Sequence, residues 1–440
     1  MNPYIQYMYS YPHKTAYRQM QADLRQYVHY LRGGGHGLYL HIPFCQARCG
    51  YCNLFSVAAQ GKEAVNRYLD AVERQSGQYR EILRPMETSF SSLTIGGGTP
   101  LYLTAEQLER MFCILEGHFS FAEERELAVE TSPNQTTEEK LSVLKQAGAT
   151  RISLGIQSFS DKELTALKRQ HNGQKAREAL ERIKAFEFPC VNVDFIYGIP
   201  GQTCESLLDS LREADAYEPD EIFLYPLYVK QGVGMEREGT KPKPEEAFRQ
   251  YEQGRRFLAD KGFRQDSMRR FVRRRRNGRA SEGTEDMVRR ERSFSECGFG
   301  TSLALGCGGR SYLGDLHFCT PYAVTGSGCR ASLEEYERTE DFSRITNGIL
   351  LSEEEQKRRY VIRHLLIRPG LLIPRYRECF GTFPQEDFPI LEEWVKKGFA
   401  RAGGDGFLDL TDPGLGLSDF LGPKLISPEI RKAMDEWVLC

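Results

Sequence analysis

His41-Ile-Pro-Phe-Cys-Gln-Ala-Arg-Cys-Gly-Tyr-Cys52 places three cysteines, Cys45, Cys49 and Cys52, within eight residues at the spacing Cys-x3-Cys-x2-Cys. Three thiolates so spaced can ligate three irons of a [4Fe–4S] cube and leave the fourth iron without a protein ligand. A cluster held by four cysteines mainly carries electrons, whereas an open iron can bind a substrate or cofactor, so the spacing points to chemistry at the cluster. A zinc knuckle lacking one ligand, or three structural cysteines, is the competing reading. Zinc sites usually bring paired Cys-x2–4-Cys and His-x3–5-His ligands, and no second pair lies nearby.

The apolar run that leads into these cysteines is the first of six strand candidates: 37–42, 91–95, 126–130, 151–156, 190–196 and 221–228. Between them the pattern predicts helices over 62–83, 104–117, 137–147, 174–187 and 203–217. In the first, Val65, Tyr68, Leu69 and Val72 share one face. Thr104 and Thr203 are acceptable N-caps. Parallel strands need crossover connections, so six strand–helix units imply a parallel sheet. Six is too few for a closed eight-fold barrel, and an α/β fold with a partial (β/α)6 barrel follows. In such folds the loops at the C-terminal strand ends carry the chemistry.

Motifs stand at those ends. Gly96-Gly-Gly-Thr-Pro100 follows Ser92-Leu-Thr-Ile95, Glu130-Thr-Ser-Pro133 ends the third strand, and Arg151-Ile-Ser-Leu-Gly-Ile-Gln-Ser-Phe159 spans the fourth. Asp194-Phe-Ile-Tyr-Gly-Ile-Pro-Gly-Gln-Thr203 closes the fifth. Glycines at 96–98 permit close backbone approach to a ligand, and Glu130 can accept hydrogen bonds from a ribose.

These five ordered motifs, with Tyr39-x-His-Ile-Pro-Phe44 before the first cysteine, resemble the radical S-adenosylmethionine (SAM) superfamily. Within it they resemble the oxygen-independent coproporphyrinogen III oxidase and heme-chaperone (HemN/HemW-like) group. The resemblance covers roughly residues 37–230 and continues more weakly to the C-terminus. It implies the same partial barrel, a [4Fe–4S] cluster on Cys45, Cys49 and Cys52, and one-electron cleavage of SAM to a 5′-deoxyadenosyl radical. It also implies a small-molecule substrate of tetrapyrrole class, a low-potential electron donor of flavodoxin or ferredoxin type, and heme as a further ligand. Tyr39, Gly97 and Glu130 match residues that contact cluster-bound SAM, Tyr39 being the catalytic candidate. Tyr51 matches an aromatic packed near the cofactor. Gly98, Thr99, Gln157, Arg169 and Asp194 match positions around a second SAM in the oxidase, although Arg169, within Leu167-Lys-Arg-Gln-His171, also reads as a helix surface.

Departures from the oxidase pattern point to a divergent subfamily. Leu54 stands where the oxidase has a further cysteine, and Asn53 stands where the chaperone branch usually has aspartate. Tyr9-Ser-Tyr-Pro-His-Lys14, by contrast, is similar to the oxidase's N-terminal segment. The expected reading is a radical SAM enzyme of unassigned substrate. A heme chaperone and the oxidase itself are the alternatives.

At 440 residues the chain is long enough for two or three domains. Its expected division is an N-terminal arm (1–36), the barrel (37–230), a barrel extension with a basic loop (231–340) and a C-terminal domain (341–440). A net charge of −2 gives no whole-protein attraction to nucleic acid or anionic membranes. No apolar run is long enough to span a bilayer, and Met1-Asn-Pro-Tyr-Ile-Gln-Tyr7 is not a secretory signal. Twelve scattered cysteines then read as reduced thiols in the cytoplasm.

The basic run Arg269-Arg-Phe-Val-Arg-Arg-Arg-Arg276 reads as a solvated loop, or as an anion-recruiting lip. Helices over 353–366 and 385–398, a hairpin over 399–410 and a helix over 414–424 resemble a winged helix, without the charge that DNA binding requires. Cys297, Cys307, Cys319 and Cys329 lack any Cys-x2-Cys pair, so scattered thiols are expected there rather than an auxiliary cluster. His317 is a candidate axial heme ligand, against the commoner structural role of a lone histidine.

Overall fold

The computed structural model describes residues 2–8, 10–240, 243–273 and 300–438. The strands begin with β1 (Arg18–Asp23), β2 (His36–Ile42) and the short pair β3 (Phe44–Cys45) and β4 (Val57–Ala58). They continue with β5 (Phe90–Gly97), β6 (Phe121–Thr131), β7 (Arg151–Gln157), β8 (Cys190–Tyr197) and β9 (Glu221–Pro226). Strands β2, β5, β6, β7, β8 and β9 are the six the sequence predicts. They pair in that order, and every pair is parallel.

The crossovers are helical: α1 (Lys62–Leu83), α2 (Ala105–His118), α3 (Glu138–Gln146), α4 (Asp161–Ala166), α5 (Gly173–Ala185) and α6 (Cys204–Asp215). Thr104 caps α2 and Thr203 caps α6 through reciprocal capping boxes with Gln107 and Ser206. Helix α1 buries Val65, Leu69, Val72, Tyr79 and Leu83 along one stripe.

Side chains alternate across each strand. Leu38, Leu40, Leu93, Ile95, Leu127, Val129, Ile152, Leu154, Val193 and Ile222 are buried in the main core. The intervening positions, among them Tyr39, Thr94, Glu130, Ser153, Asp194 and Tyr225, keep accessible surface and face the barrel lumen. The same alternation that drives burial therefore lines the lumen with polar groups.

The sheet extends beyond the predicted barrel. Residues 231–260, at the start of the expected barrel extension, carry α7 (Gly234–Arg237) and the 17-residue α8 (Pro244–Asp260). They lead to β10 (Phe263–Gln265) and β11 (Arg270–Arg273), the latter antiparallel to β9. The solvated-loop reading of the basic run is corrected here, because Arg270 pairs with Glu221, Arg273 with Asp215 and Arg269 with Asp419. Residues 274–276 and Cys297 lie outside the described residues. On the other edge, β12 (Ser302–Leu305) runs parallel to β2, followed by antiparallel β13 (Arg310–Leu313), β14 (Leu316–Cys319), β15 (Arg344–Leu350) and β1, making 13 strands.

The C-terminal region has the winged-helix order expected. Helix Glu353–Leu365 is followed by a three-stranded sheet of Leu371–Leu372, Phe407–Leu410 and Ala400–Ala402. The helix expected over 385–398 is instead two, Pro384–Asp387 and Ile390–Lys396, separated at Pro389. This region's core of Leu365, Trp394, Leu408 and Leu421 also takes in Met8, Tyr11 and Ala16 from the N-terminal arm. Among the described residues no helix is long and apolar enough to cross a membrane.

Candidate active site

Cys45 ends β3, directly after the Phe44 carbonyl that accepts from the Thr99 N–H at 2.8 Å, while Gly98 N–H bonds Ile42 O at 2.8 Å. The glycine loop is thus stitched to the strand that delivers the first cysteine. A Cβ on Gly98 would lie 2.7 Å from Phe44 O and 2.9 Å from Cys45 Sγ. Gly97 sits at φ 118°, where a Cβ would meet the His41 ring at 2.7 Å, and on Gly96 one would meet the Glu130 carboxylate at 2.9 Å. Only glycine fits at this approach.

The second half of the cysteine loop is fastened elsewhere. Gly50 N–H bonds Leu167 O at 3.0 Å, and Gly50 O accepts from Met235 N–H at 2.8 Å. Tyr51 packs with Leu167, Ile196, Ile199, Leu227 and Met235. After Leu167 the chain turns through Lys168 at φ 57°, and this aims Arg169 inward. Its Nη1 donates to Cys49 Sγ at 3.3 Å and its Nη2 to Gly155 O. The helix-surface reading of Arg169 is therefore corrected: the guanidinium reaches the cysteine loop. Burial opposes its charge, but Tyr51 and the Cys49 sulfur outweigh that and raise its pKa.

Glu130 accepts from Gly97 N–H at 3.1 Å. It keeps open surface, but that surface faces the lumen with protein around it, and burial pushes its carboxyl up to about 7, helped by Asp194 and opposed by the Gly97 bond. Burial likewise pushes Asp194 up to about 6, against a 2.8 Å bond from Asn192 and the charges of Arg151 and Arg169. Two neighbouring carboxylates with little water around them resist double ionisation, and a cationic ligand between them relieves that cost. Gln157, at φ 74°, ends β7 with Nε2 2.9 Å from where a Gly155 Cβ would stand.

His41 was not singled out by its residue type, yet it organises this wall. Its Nε2 lies 2.9 Å from Phe55 O and its Nδ1 3.1 Å from the Tyr39 hydroxyl. Burial pushes it down to about 4, so it is neutral. With Nε2–H donating to the carbonyl, Nδ1 accepts from Tyr39 and fixes that side chain. The usable signal is the alternation in Tyr39-Leu-His41, which puts both rings on the lumen side.

Gly97, Gly98, Thr99, Glu130 and Gln157 thus stand at or just past C-terminal strand ends, Tyr39 and Asp194 line the lumen from within β2 and β8, and Gly98, Thr99, Tyr51 and Arg169 lie beside the cysteines. Thr99 Oγ1 approaches Cys45 Sγ at 3.6 Å. Burial pushes the Cys45 thiol up to about 12 and raises that of Cys52. A cubane needs three sulfurs spread over separate irons. The donor set of three free cysteines with one arginine N–H on a sulfur fits such a cluster.

The other candidates fall away from this centre. Cys307 and Cys329 are buried, with Cys307 Sγ 3.4 Å from Ser332 O. His317 is fully enclosed in β14 with its ring 4.8 Å from that of Tyr312, so no open face is presented to a heme. Leu54 is 47% exposed beside the cysteine loop.

A parallel partial barrel with this loop at its mouth defines a radical SAM protein, and residues 39–214 match the Radical SAM superfamily. The chain therefore carries a Radical SAM domain over that span, and it is similar to proteins named oxygen-independent coproporphyrinogen III oxidase and heme chaperone HemW. It is 28% identical over 392 residues to the oxygen-independent coproporphyrinogen III oxidase of Synechocystis, covering 86% of this chain and 82% of that protein. With heme chaperone HemW of Mycobacterium tuberculosis it shares 34% over 203 residues, 46% of this chain and about half (52%) of that one. The fold matches coproporphyrinogen III oxidase HemN from Escherichia coli with a TM-score of 0.78 at 22% identity, covering 99% of this chain and 98% of that one. A Radical SAM domain implies a [4Fe–4S] cluster and SAM.

Proposed function

We propose that this chain holds a [4Fe–4S] cluster on Cys45, Cys49 and Cys52 and cleaves SAM beside it to initiate radical chemistry on a tetrapyrrole-class substrate. The observation that carries this reading is the convergence of the glycine loop, Glu130, Asp194 and Arg169 on the three cysteines. When bound, the cluster supplies the electron that breaks a sulfur–carbon bond of SAM, giving the 5′-deoxyadenosyl radical.

The protein's own contribution is positioning. Glu130 and Asp194 present carboxylates to a cationic cofactor, and Glu130 is oriented by the Gly97 N–H. Tyr39, steadied by His41, lines the lumen from β2, next to Thr94 of β5. Arg169 places positive charge on the cysteine loop.

Porphyrinogen decarboxylation is the weaker reading within this class. Leu54 offers neither thiol nor hydrogen bond where the oxidase pattern has cysteine. Anaerobic incubation of reconstituted, reduced protein with SAM should release 5′-deoxyadenosine and methionine. With coproporphyrinogen III added, mass analysis should show no loss of two carboxyl groups. Absence of 5′-deoxyadenosine overturns the enzyme reading; a doubly decarboxylated product restores the oxidase. Tight heme binding without turnover of any porphyrin moves the heme chaperone to first place.

A further inference from the structure

The N-terminal arm brings positive charge to the barrel mouth. Lys14 opens the short helix Lys14–Ala16, and its Nζ sits 3.7 Å above the Tyr322 ring. Tyr322 in turn donates its hydroxyl to Asn53 O at 3.1 Å, one residue past Cys52. Lys14 is thereby held one side chain away from the cysteine loop. Lys230 stands just beyond the C-terminal end of β9, on the rim where the motifs lie. Val229, next to Lys230, packs in one apolar cluster with Tyr322, the ring on which Lys14 sits, so the two lysines flank the same aromatic; His13 and Lys14 each feel the charges of Lys230 and Arg310, and Lys230 feels that of Arg310.

Neither lysine finds an anion among the described residues. Among the described residues the Lys14 ammonium has only the face of Tyr322, and no hydrogen bond or ion pair reaches the Lys230 ammonium. The carboxylate facing Lys230 is Asp419, and it is committed: Oδ2 accepts from Arg269 and from Tyr228 OH at 2.7 Å, and Oδ1 accepts from Met8 N–H at 2.9 Å. Arg310 donates to Ser10 Oγ at 2.9 Å. The remaining charged or titratable groups around the pair are the Arg269 guanidinium and the neutral thiols of Cys319 and Cys329. Two enclosed ammonium groups with no counter-anion among the described residues cost stability unless a ligand supplies one.

Resting on the radical SAM reading above, we infer that Lys14 and Lys230, beside Arg310, form an anion site that grips the carboxylates of a substrate carrying at least two of them. Ammonium groups act there as point charges on flexible stems, so they can follow carboxylates on a bulky ligand. Burial first, then Arg310, pushes Lys14 down to about 7, and burial pushes Lys230 down to about 8 against the pull of Asp419. A bound carboxylate would restore full charge to both. The arginines of β11, by contrast, already have protein partners, so the anion-recruiting role passes from that run to the N-terminal arm.

The test is calorimetric titration of the full chain, anaerobically reconstituted, with coproporphyrin III, with citrate and with SAM. Lys14→Met and Lys230→Met should each weaken both polycarboxylates by about tenfold, the size of one charge-assisted contact. Lys14→Arg should retain binding. SAM affinity and iron content should stay unchanged in all three variants, which also certifies their folding. Unchanged polycarboxylate affinity in the Met variants overturns the site. A loss confined to SAM also overturns it, because the anion gripped would then be SAM's own carboxylate. Lysine-dependent binding of citrate without coproporphyrin keeps the site and removes the tetrapyrrole reading; failure of wild-type protein to bind either removes the site.

Discussion

The Arg169 guanidinium bridges Cys49 Sγ, 3.3 Å from Nη1, and the Gly155 carbonyl, held by Nη2, joining the cysteine loop to the fourth barrel strand. A positive charge and an N–H on a cluster sulfur both raise reduction potential. Arg169→Met should therefore leave iron and sulfide content intact and shift the cluster to a more negative potential. Redox titration followed by electron paramagnetic resonance reads this directly. An unmoved potential would mean that the guanidinium leaves the sulfur once the cluster is loaded.

Changing Cys45, Cys49 or Cys52 to alanine should abolish the cubane, since two thiolates do not hold it stably. Cys307→Ala and Cys319→Ala should leave iron and sulfide content at the wild-type value, because Cys307 is buried against Ser332 and Cys319 lies near the Asn347 side chain. Iron that survives the triple alanine change defeats the cluster assignment. Halved iron in either single variant would reveal a second cluster.

Most of the barrel was legible because burial writes a period-two pattern into the strands and capping writes threonine at the helix starts. What the sequence concealed is what depends on pairing between distant segments. Ser302–Leu305 is too short to announce itself, yet it runs parallel to β2 and carries the sheet past the barrel. Arg270 and Arg273 looked solvated because their partners, Glu221 and Asp215, lie some fifty residues away in sequence. Arg169 looked like a helix surface because its inward course depends on the left-handed turn at Lys168. Lys14 ends the segment Tyr9–Lys14 that resembles the oxidase's, but nothing local marks its charge, which depends on the distant Tyr322 it packs against.

Glu130 gives the site a pH dependence. With its carboxyl pushed up to about 7 by burial and Asp194, the neutral form dominates below that value and the ionised form above it. A sulfonium cation favours the ionised form. SAM affinity should thus rise by about tenfold between pH 6 and pH 8, with proton release on binding at the lower pH. Asp194, near 6, titrates mostly below this window. Glu130→Gln should flatten the profile and weaken binding at pH 8. A slope that persists in that variant would place the titrating group elsewhere, on SAM or another residue.

Asp419 is the tie between three parts of the chain. It is fully buried, accepts from Arg269, Tyr228 and the Met8 N–H, and offers its backbone carbonyl to the N–H groups of Ile5 and Gln6 at 3.2 Å each. Arg269 stacks over Tyr7 at 4.0 Å, so the same pair fixes the N-terminal arm from both sides. Removing one partner of a buried ion pair leaves the other charge uncompensated, at a cost of about 3 kcal/mol. Asp419→Asn should destabilise by that order in denaturant unfolding and make residues 2–16 sensitive to protease under native conditions. Arg269→Met with Asp419→Asn should cost much less than the sum of the two single changes, because the stranded charge is then gone. Additive losses would show that the arm is held by apolar packing of Met8 and Tyr11, with the ion pair contributing nothing of its own.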